Sequence, residues 1–483
     1  MLHRDLCRSG YVKQMPPGPY ERKWHRDFHL EMIATRVEAI VAEGLVFVGT
    51  YAGNLYALDA ATGGTRWRLS AGGPFCASPA YDEGVVYVGC HDGFVYALKA
   101  KTGAELWRFG ARAGFVVAPA VAGALVLIGS KEGTFYAIDK RTGKLRWSRR
   151  VGGMILQPAS VAGGKVVFGA EDMRVRCLEL ATGRLIWETE KLWGLSLRDY
   201  APTIWRGLAI VRTNPSAAFH EVLNRDQQMM LGLHGIRLEH WKNLLKPDPR
   251  DPENNLRKGY GFLKPTPELV RREQEAIVRY LKEHPEDKTF YAFDLATGKE
   301  PWTAPIFYVG GLHNPATPPT FNPHTGELYT FFRSAMTNYD MAGEVRPFTN
   351  LGKLDRNTGR ITPLPHAHGE KMYWGGFAWI GDETAALSLA GDKLLCTHQG
   401  TVGYLDLKTR RFTDVAGRRD TYGGIFGPAL VGGFKAAREA HARGELVYMP
   451  NEWHGPARGI VSIAYGRLYW ISGSQVICIG TKG

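Results

Sequence analysis

The chain has no apolar run long enough to cross a bilayer as a helix, and its first residues, MLHRDLCRSGYVKQMPPGPY, contain no hydrophobic signal core. It reads as a soluble protein. A periplasmic or extracellular location is expected, with the export signal removed before this sequence begins. The 6 cysteines (Cys7, Cys76, Cys90, Cys177, Cys396 and Cys478) form no CxxC, no CxxCH and no adjacent pair, which argues against c-type haem, a zinc ribbon or a thioredoxin-like centre. There is no RNP-like aromatic motif and no basic helix. Although 60 Lys+Arg against 47 Asp+Glu give a formal charge of +13, the basic residues are dispersed and no nucleic acid is expected as partner. An acidic polysaccharide, an anionic surface or simple solubility accounts for the charge equally well. No linker or low-complexity tract divides the 483 residues; the 58 Gly and 27 Pro are spread along them as turn punctuation. A single domain spanning 1–483 is therefore expected.

What is present is a repeat. YALDAATGGTRW, YALKAKTGAELW, YAIDKRTGKLRW and RCLELATGRLIW end at Trp67, Trp107, Trp147 and Trp187, forty residues apart, and YAFDLATGKEPW ends at Trp302. Within one period, 74–113, apolar runs alternate with the turns DEG, HDG and KTG, which is the pattern of four short antiparallel strands and hence of a propeller blade. If Tyr81 and Val85 flank the first of these turns, Cys76 and Cys90 fall opposite each other, and both a cross-strand disulfide and two packed thiols are open. Degenerate copies at 351–364 and 402–415 keep the turn but lack the Trp. The last copy supplies three strands, and the N-terminal ERKWHRDF supplies the fourth, which makes eight blades and removes an open sheet edge. The recurring Trp is expected to pack over the turn glycine of the next blade.

The A-x-D-x-x-T-G-x-x-x-W pattern resembles the repeat of the PQQ-like eight-bladed propellers, a group that includes quinoprotein alcohol dehydrogenases and the propeller lipoprotein of the outer-membrane protein assembly machine. The resemblance covers most of the chain between its long insertions and implies an all-β, eight-bladed fold. It says less about activity, because one fold hosts unrelated functions. A quinoprotein dehydrogenase would need PQQ in the channel, with calcium and a catalytic Asp. This chain lacks the adjacent cysteines and the haem motif, so PQQ is not expected.

With strands counted from the channel outward, the first-to-second and third-to-fourth turns stay minimal, whereas every long insertion falls on the opposite face, with the second-to-third turns and the crossovers between blades. The largest insertion, 213–288 in blade five, reads as a lid or subdomain. It contains a helix with Thr266 as N-cap and Pro267 in its first turn, ending at Pro285, and a second helix is expected after Asn214-Pro215. The elaborated face is where a binding chemistry belongs. Its loops bring His313, Tyr339, Asp382, Glu383 and His454 as candidate acids and bases. Asn314, Arg333, Asn338, Tyr373, Trp374, Trp379 and Trp453 are candidate ligand contacts, Arg333 toward a carboxylate and the aromatics as stacking platforms. In an extended segment His366 and His368 point to one side, a spacing suited to one divalent metal, with two hydrated loop histidines as the alternative. These residues point to a small polar ligand, a neutral or anionic saccharide, with a non-redox enzyme as the extension of that reading. A PQQ-dependent dehydrogenase and a non-catalytic interaction scaffold are the alternatives.

Overall fold

The computed structural model describes residues 5–34, 37–198, 201–213, 267–306, 318–334, 348–368, 371–373, 386–398, 401–416, 461–472 and 474–483. They form eight sheets, the blades of a propeller, antiparallel except for one short N-terminal strand added in parallel to blade seven, with one two-stranded hairpin and one α-helix among the described residues. Blade one consists of Ile40–Ala42, Leu45–Gly49, Asn54–Asp59 and Thr65–Ser70, and blades two to four repeat it at 80–110, 120–150 and 160–188. In each blade the second and third strands read as continuous apolar runs because neighbouring blades cover both of their faces. Leu45–Gly49 is buried at every residue, whereas the outer strand Thr65–Ser70 has no buried residue.

Blade two shows how the turns set the register. Tyr81 pairs with Val86 and Asp82 with Val85, leaving only Glu83 and Gly84 in the turn, with φ of 44° and 83°. Two central residues of positive φ make a type I′ hairpin, whose twist matches that of the strands. The three-residue turn expected from the sequence is one residue too long, and the tighter register moves Cys90 out of alignment with Cys76. Both thiols are free. Cys90 is buried, with Sγ 3.0 Å from the Gly73 carbonyl.

The outer-strand tryptophans join the blades. Trp24, Trp67, Trp107, Trp147, Trp187 and Trp302 each lie on the turn glycine of the next blade (Gly63, Gly103, Gly143, Gly183, Gly298 and Gly359), so close that a Cβ there would fall 2.5–2.8 Å from the ring. Each indole N–H donates to a backbone carbonyl of that turn region (Ala60, Ala100, Lys140, Leu180, Leu295 and Arg356) at 2.8–3.1 Å. Glycine is required there twice over, by the φ of 69–76° and by the ring. The Asp of the motif closes the same turn from inside: Asp139 accepts from the N–H groups of Arg141 and Thr142 and from the Thr142 hydroxyl.

Blades five to seven depart from this plan. Blade five has three described strands, Thr203–Trp205, Leu208–Arg212 and Phe290–Asp294. Pro301, which offers no N–H, precedes Trp302, and the Trp makes its contact without an outer strand. Blade six comprises Thr320–Phe321, Leu328–Ser334, Phe348–Leu354 and Ile361–Pro363. Blade seven comprises Ala386–Ala390, Lys393–His398, Thr401–Asp406 and Phe412–Ala416. At their junction Pro363 stands in the tryptophan position and Arg410, at φ 58°, in the glycine position. Apolar packing of Leu351, Leu364, Leu405 and Phe412 fills the junction instead.

Blade eight is Ser462–Ala464, Arg467–Ser472 and Gln475–Thr481, with Tyr20–Asp27 paired antiparallel to the last of these. The helix Pro267–Glu283 belongs to the blade-five insertion and matches the expected bounds closely. Its Ile277 and Leu281 are buried, and its Gln274 amide both accepts from the Ile361 N–H (3.0 Å) and donates to the Ile361 carbonyl (2.5 Å), covering the exposed edge of blade six. The second helix expected after Asn214-Pro215 lies outside the described residues.

Candidate functional site

The crossover face is built by a recurrent backbone bond. The N–H groups of Tyr51, His91, Lys131 and Glu171, in the second-to-third turns of blades one to four, donate to carbonyls of the incoming crossovers (Met32, Pro74, Gly114 and Met154) at 2.8–3.1 Å. The frame is constant, yet the side chain at this one position changes from phenol to imidazole, ammonium and carboxylate. Sequence reasoning passed over these four residues. Aligning the forty-residue periods would have found them, because a chemically variable position inside an otherwise constant repeat marks a surface freed from packing duty.

His91 is half-buried, and burial first and the Lys131 charge second lower its pKa, so it is a neutral imidazole at neutral pH. The Cys76 thiol is pushed up by burial, against a smaller opposite pull from Lys131. Carboxylates on this face are engaged in holding loops. Glu31 accepts from Thr50, Asn54 and Tyr56, and these bonds keep it below its ordinary value although burial acts the other way. Glu171 accepts from the Ser196 hydroxyl and the Leu197 N–H.

Apolar side chains are exposed on the same face. Of the nine large hydrophobic residues exposed among the described residues, six lie on crossovers or second-to-third turns: Leu30, Met32, Tyr51, Met154, Trp193 and Leu195. Leu30 is 99% exposed and Trp193 51%. On the short-turn face the corresponding residue is Tyr465. The six stand in two places on the crossover face, Leu30, Met32 and Tyr51 between blades eight and one, and Met154, Trp193 and Leu195 on the crossovers that follow blades three and four.

The N-terminal segment lies along the channel wall. Its Leu6, Cys7, Ser9 and Gly10 carbonyls accept from the inner-strand N–H groups of Val161, Ile204, Phe321 and Leu389, which belong to blades four, five, six and seven in turn, at 2.8–3.0 Å. Tyr11–Val12 then pairs parallel with Leu389 and Ala390. Arg8 is fully buried, donating to the Ala159 carbonyl through Nε (3.2 Å) and Nη2 (2.6 Å). Burial lowers its pKa to about 10, and the Glu38 and Asp5 carboxylates pull the other way. A group lodged against the inner strands of blades four to seven would displace this segment.

Few of the residues singled out from the sequence fall within the described parts. His313, Asn314, Asn338, Tyr339, Trp374, Trp379, Asp382, Glu383, Trp453 and His454 lie outside them. Arg333 is near the end of the second strand of blade six, which runs toward the crossover face. His366–His368 and Lys371–Tyr373 form the two-stranded hairpin, so the His-x-His is extended as expected. It lies beside the outer strand of blade seven, with the Ala367 N–H donating to Arg410 O (2.8 Å) and Ala367 bridged to Arg411. The His366 ring is fully buried, 6.2 Å from the Phe412 ring, with Nδ1 3.1 Å from the Leu364 carbonyl. Among the described residues no three of His, Cys, Asp and Glu gather as metal ligands.

The sequence matches the family described as "Outer membrane protein assembly factor BamB" over residues 21–114 and 91–238. BamB from Moraxella catarrhalis is 11% identical with a TM-score of 0.51, covering 96% of this chain and 100% of its own. The computationally designed Ika8 protein is 12% identical with a TM-score of 0.54, covering 96% and 100%. Quinohemoprotein alcohol dehydrogenase from Comamonas testosteroni is 13% identical with a TM-score of 0.54, covering 100% of this chain and 80% of its own. No functionally curated protein matches. At these identities the likeness is one of fold.

Proposed function

Because the chain is an eight-bladed propeller of the PQQ-like repeat family, we propose that it is a binding scaffold that docks a protein partner on its crossover face. The observation that carries this reading is that six of the nine exposed large apolar side chains among the described residues lie on this face, Trp193 and Leu195 on one crossover. Aromatic and aliphatic anchors of this kind are what protein interfaces bury. The match to a family described as an assembly factor supports a protein as the partner. An exported location belongs to the same reading, consistent with the absence of any helix long and apolar enough to cross a membrane among the described residues. Residues 213–288 act in it as a covering element of the one propeller domain, through the helix on blade six.

The test is co-purification from the native host. Trp193→Ser/Leu195→Ser and Leu30→Ser/Met32→Ser should lose a partner that wild type retains, with unchanged thermal unfolding. Retention of the same partner by both variants would sink the proposal.

A second reading is favoured by the neutral His91 imidazole beside the Lys131 charge on the same face. It makes the ligand a small anionic saccharide, held by the crossover loops that carry Arg333, Trp374, Trp379 and Trp453. A non-redox reaction at His313, Tyr339, Asp382, Glu383 or His454, with a divalent metal at His366 and His368, extends it. Calorimetric titration with acidic oligosaccharides separates the two readings. Saturable heat that disappears in Lys131→Ala supports the saccharide, and no heat at all returns the weight to a protein partner.

A further inference from the structure

The blade-to-blade contacts are of two kinds. From blade eight round to blade six, every seam carries a tryptophan clasp: Trp24 to Gly63, then Trp67, Trp107, Trp147 and Trp187 in turn, and finally Trp302 to Gly359. Both seams of blade seven lack such a clasp: toward blade six Pro363 and Arg410 stand where the ring and its glycine would be, and toward blade eight Asp414 stands in the ring position, where Val402 and Val415 pack against Ile463 and Trp470 instead. Losing a clasp forfeits the indole packing, a charge-free N–H···O bond and a close backbone contact. Something else must hold that sector.

We propose that residues 5–12 are a releasable strap that locks the clasp-free seam between blades six and seven from the channel side, and that withdrawing it loosens blades six and seven while the clasped blades stay fastened. Three observations carry this, none of which depends on what the crossover face binds. First, the strap bridges the seam: Ser9 O accepts from Phe321 N (3.0 Å) and from the Thr320 hydroxyl (2.6 Å) on blade six. One residue later Gly10 O accepts from Leu389 N (2.9 Å) on blade seven, and Val12 O from Gly391 N (2.9 Å) follows on the same blade. The Phe321 and Leu389 N–H groups are on inner strands and Gly391 follows one directly, so the strap satisfies N–H groups that the blades themselves do not pair.

Second, the strap is anchored on the clasped side, where Arg8 binds Ala159 O of blade four, and the Arg8 backbone is held at φ 59°, a conformation a non-glycine residue keeps only when its surroundings impose it. Third, it carries its own local brace. Asp5 accepts from the Ser9 N–H (3.0 Å) and from the Ser9 hydroxyl. A segment held chiefly by single backbone bonds to four separate blades has no ladder of its own beyond Tyr11–Val12, so it can leave without unfolding any blade.

Hydrogen exchange followed by mass spectrometry on the full chain, on a variant lacking residues 2–12 and on Arg8→Ala tests this. The truncated protein should exchange at least tenfold faster in 320–334 and 386–398, with 80–130 unchanged, and Arg8→Ala should show the same pattern more weakly. Trp107→Leu serves as the opposite case, loosening the seam of blades two and three and sparing 386–398. Should the truncated chain fail to fold, Arg8→Ala decides alone. Faster exchange spread evenly over all blades, or unchanged exchange in 386–398, would overturn the proposal.

Discussion

Replacing Gly143 with alanine puts a methyl group into the face of Trp107, and the cost separates into two parts that the structure lets one measure independently. Gly143 sits at φ +72°, and its Cβ would lie 2.8 Å from Cδ2 of the ring. Gly123 has a comparable φ of +57° with nothing within 4 Å of its Cβ. The left-handed backbone alone costs an L-residue about 1–2 kcal/mol. Overpacking a filled site adds about 1–3 kcal/mol. Gly123→Ala should therefore destabilise by about 1–2 kcal/mol and Gly143→Ala by about 2–5 kcal/mol, read from the shift of the urea unfolding curve. Adding Trp107→Leu to Gly143→Ala removes the clash, so the two changes together should cost less than their sum by about 1–3 kcal/mol. If Gly143→Ala costs no more than Gly123→Ala, or if the double variant is additive within about 0.5 kcal/mol, the ring does not clasp the turn as described.

Other expectations follow from single contacts. Gln274→Leu removes both bonds to Ile361 and leaves a buried N–H and carbonyl without them; about 1–3 kcal/mol should be lost, with faster proteolysis in 267–283 as the readout. Free thiols predict that Cys7 and Cys76, half-buried, react first with a thiol reagent and Cys90 and Cys396 only on unfolding; a bridge between Cys76 and Cys90 in a non-reducing peptide map would contradict the register. Turn carboxylates set the acid limit. Asp139 is held low by Arg146 first and by Thr142. Asp406, which burial alone would raise, is brought to about 2 by Lys393 and the N–H groups of Thr409 and Lys408. A carboxyl lowered on folding contributes stability that is complete above its unfolded pKa of about 4 and is lost as the pH falls through the folded value. The urea midpoint should therefore hold from about pH 7 to 5 and drop between about pH 4 and 2; a midpoint indifferent to that interval would count against these turns.

The regular half of the ring was legible because each period repeats the same physical solution. Apolar strands are covered on both faces, an Asp closes the turn, and a glycine lies beneath a tryptophan. The helix Pro267–Glu283 was legible from its proline boundaries. The strap was not, because its contacts are made by backbone carbonyls of Leu6, Cys7, Ser9 and Gly10, and carbonyls leave no trace in side-chain pattern. The register of Cys76 and Cys90 was misjudged by one residue because Asp82 pairs with Val85 and does not belong to the turn. His-x-His was read as extended, and it is, but alternation alone could not place the hairpin beside Phe412 with His366 fully buried. The exposed apolar residues of the crossover face were passed over because, in sequence, Leu30, Met32 and Trp193 look like any core residue; only knowing which loop carries them exposes them.

The most direct test of the docking reading is site-specific photo-cross-linking in the native host, with the photoreactive residue placed at Trp193 on the crossover face or at Tyr465 on the short-turn face. A discrete protein adduct at position 193 and none at 465 is the outcome the account predicts. Adducts at 465 alone, or at neither position, would contradict it.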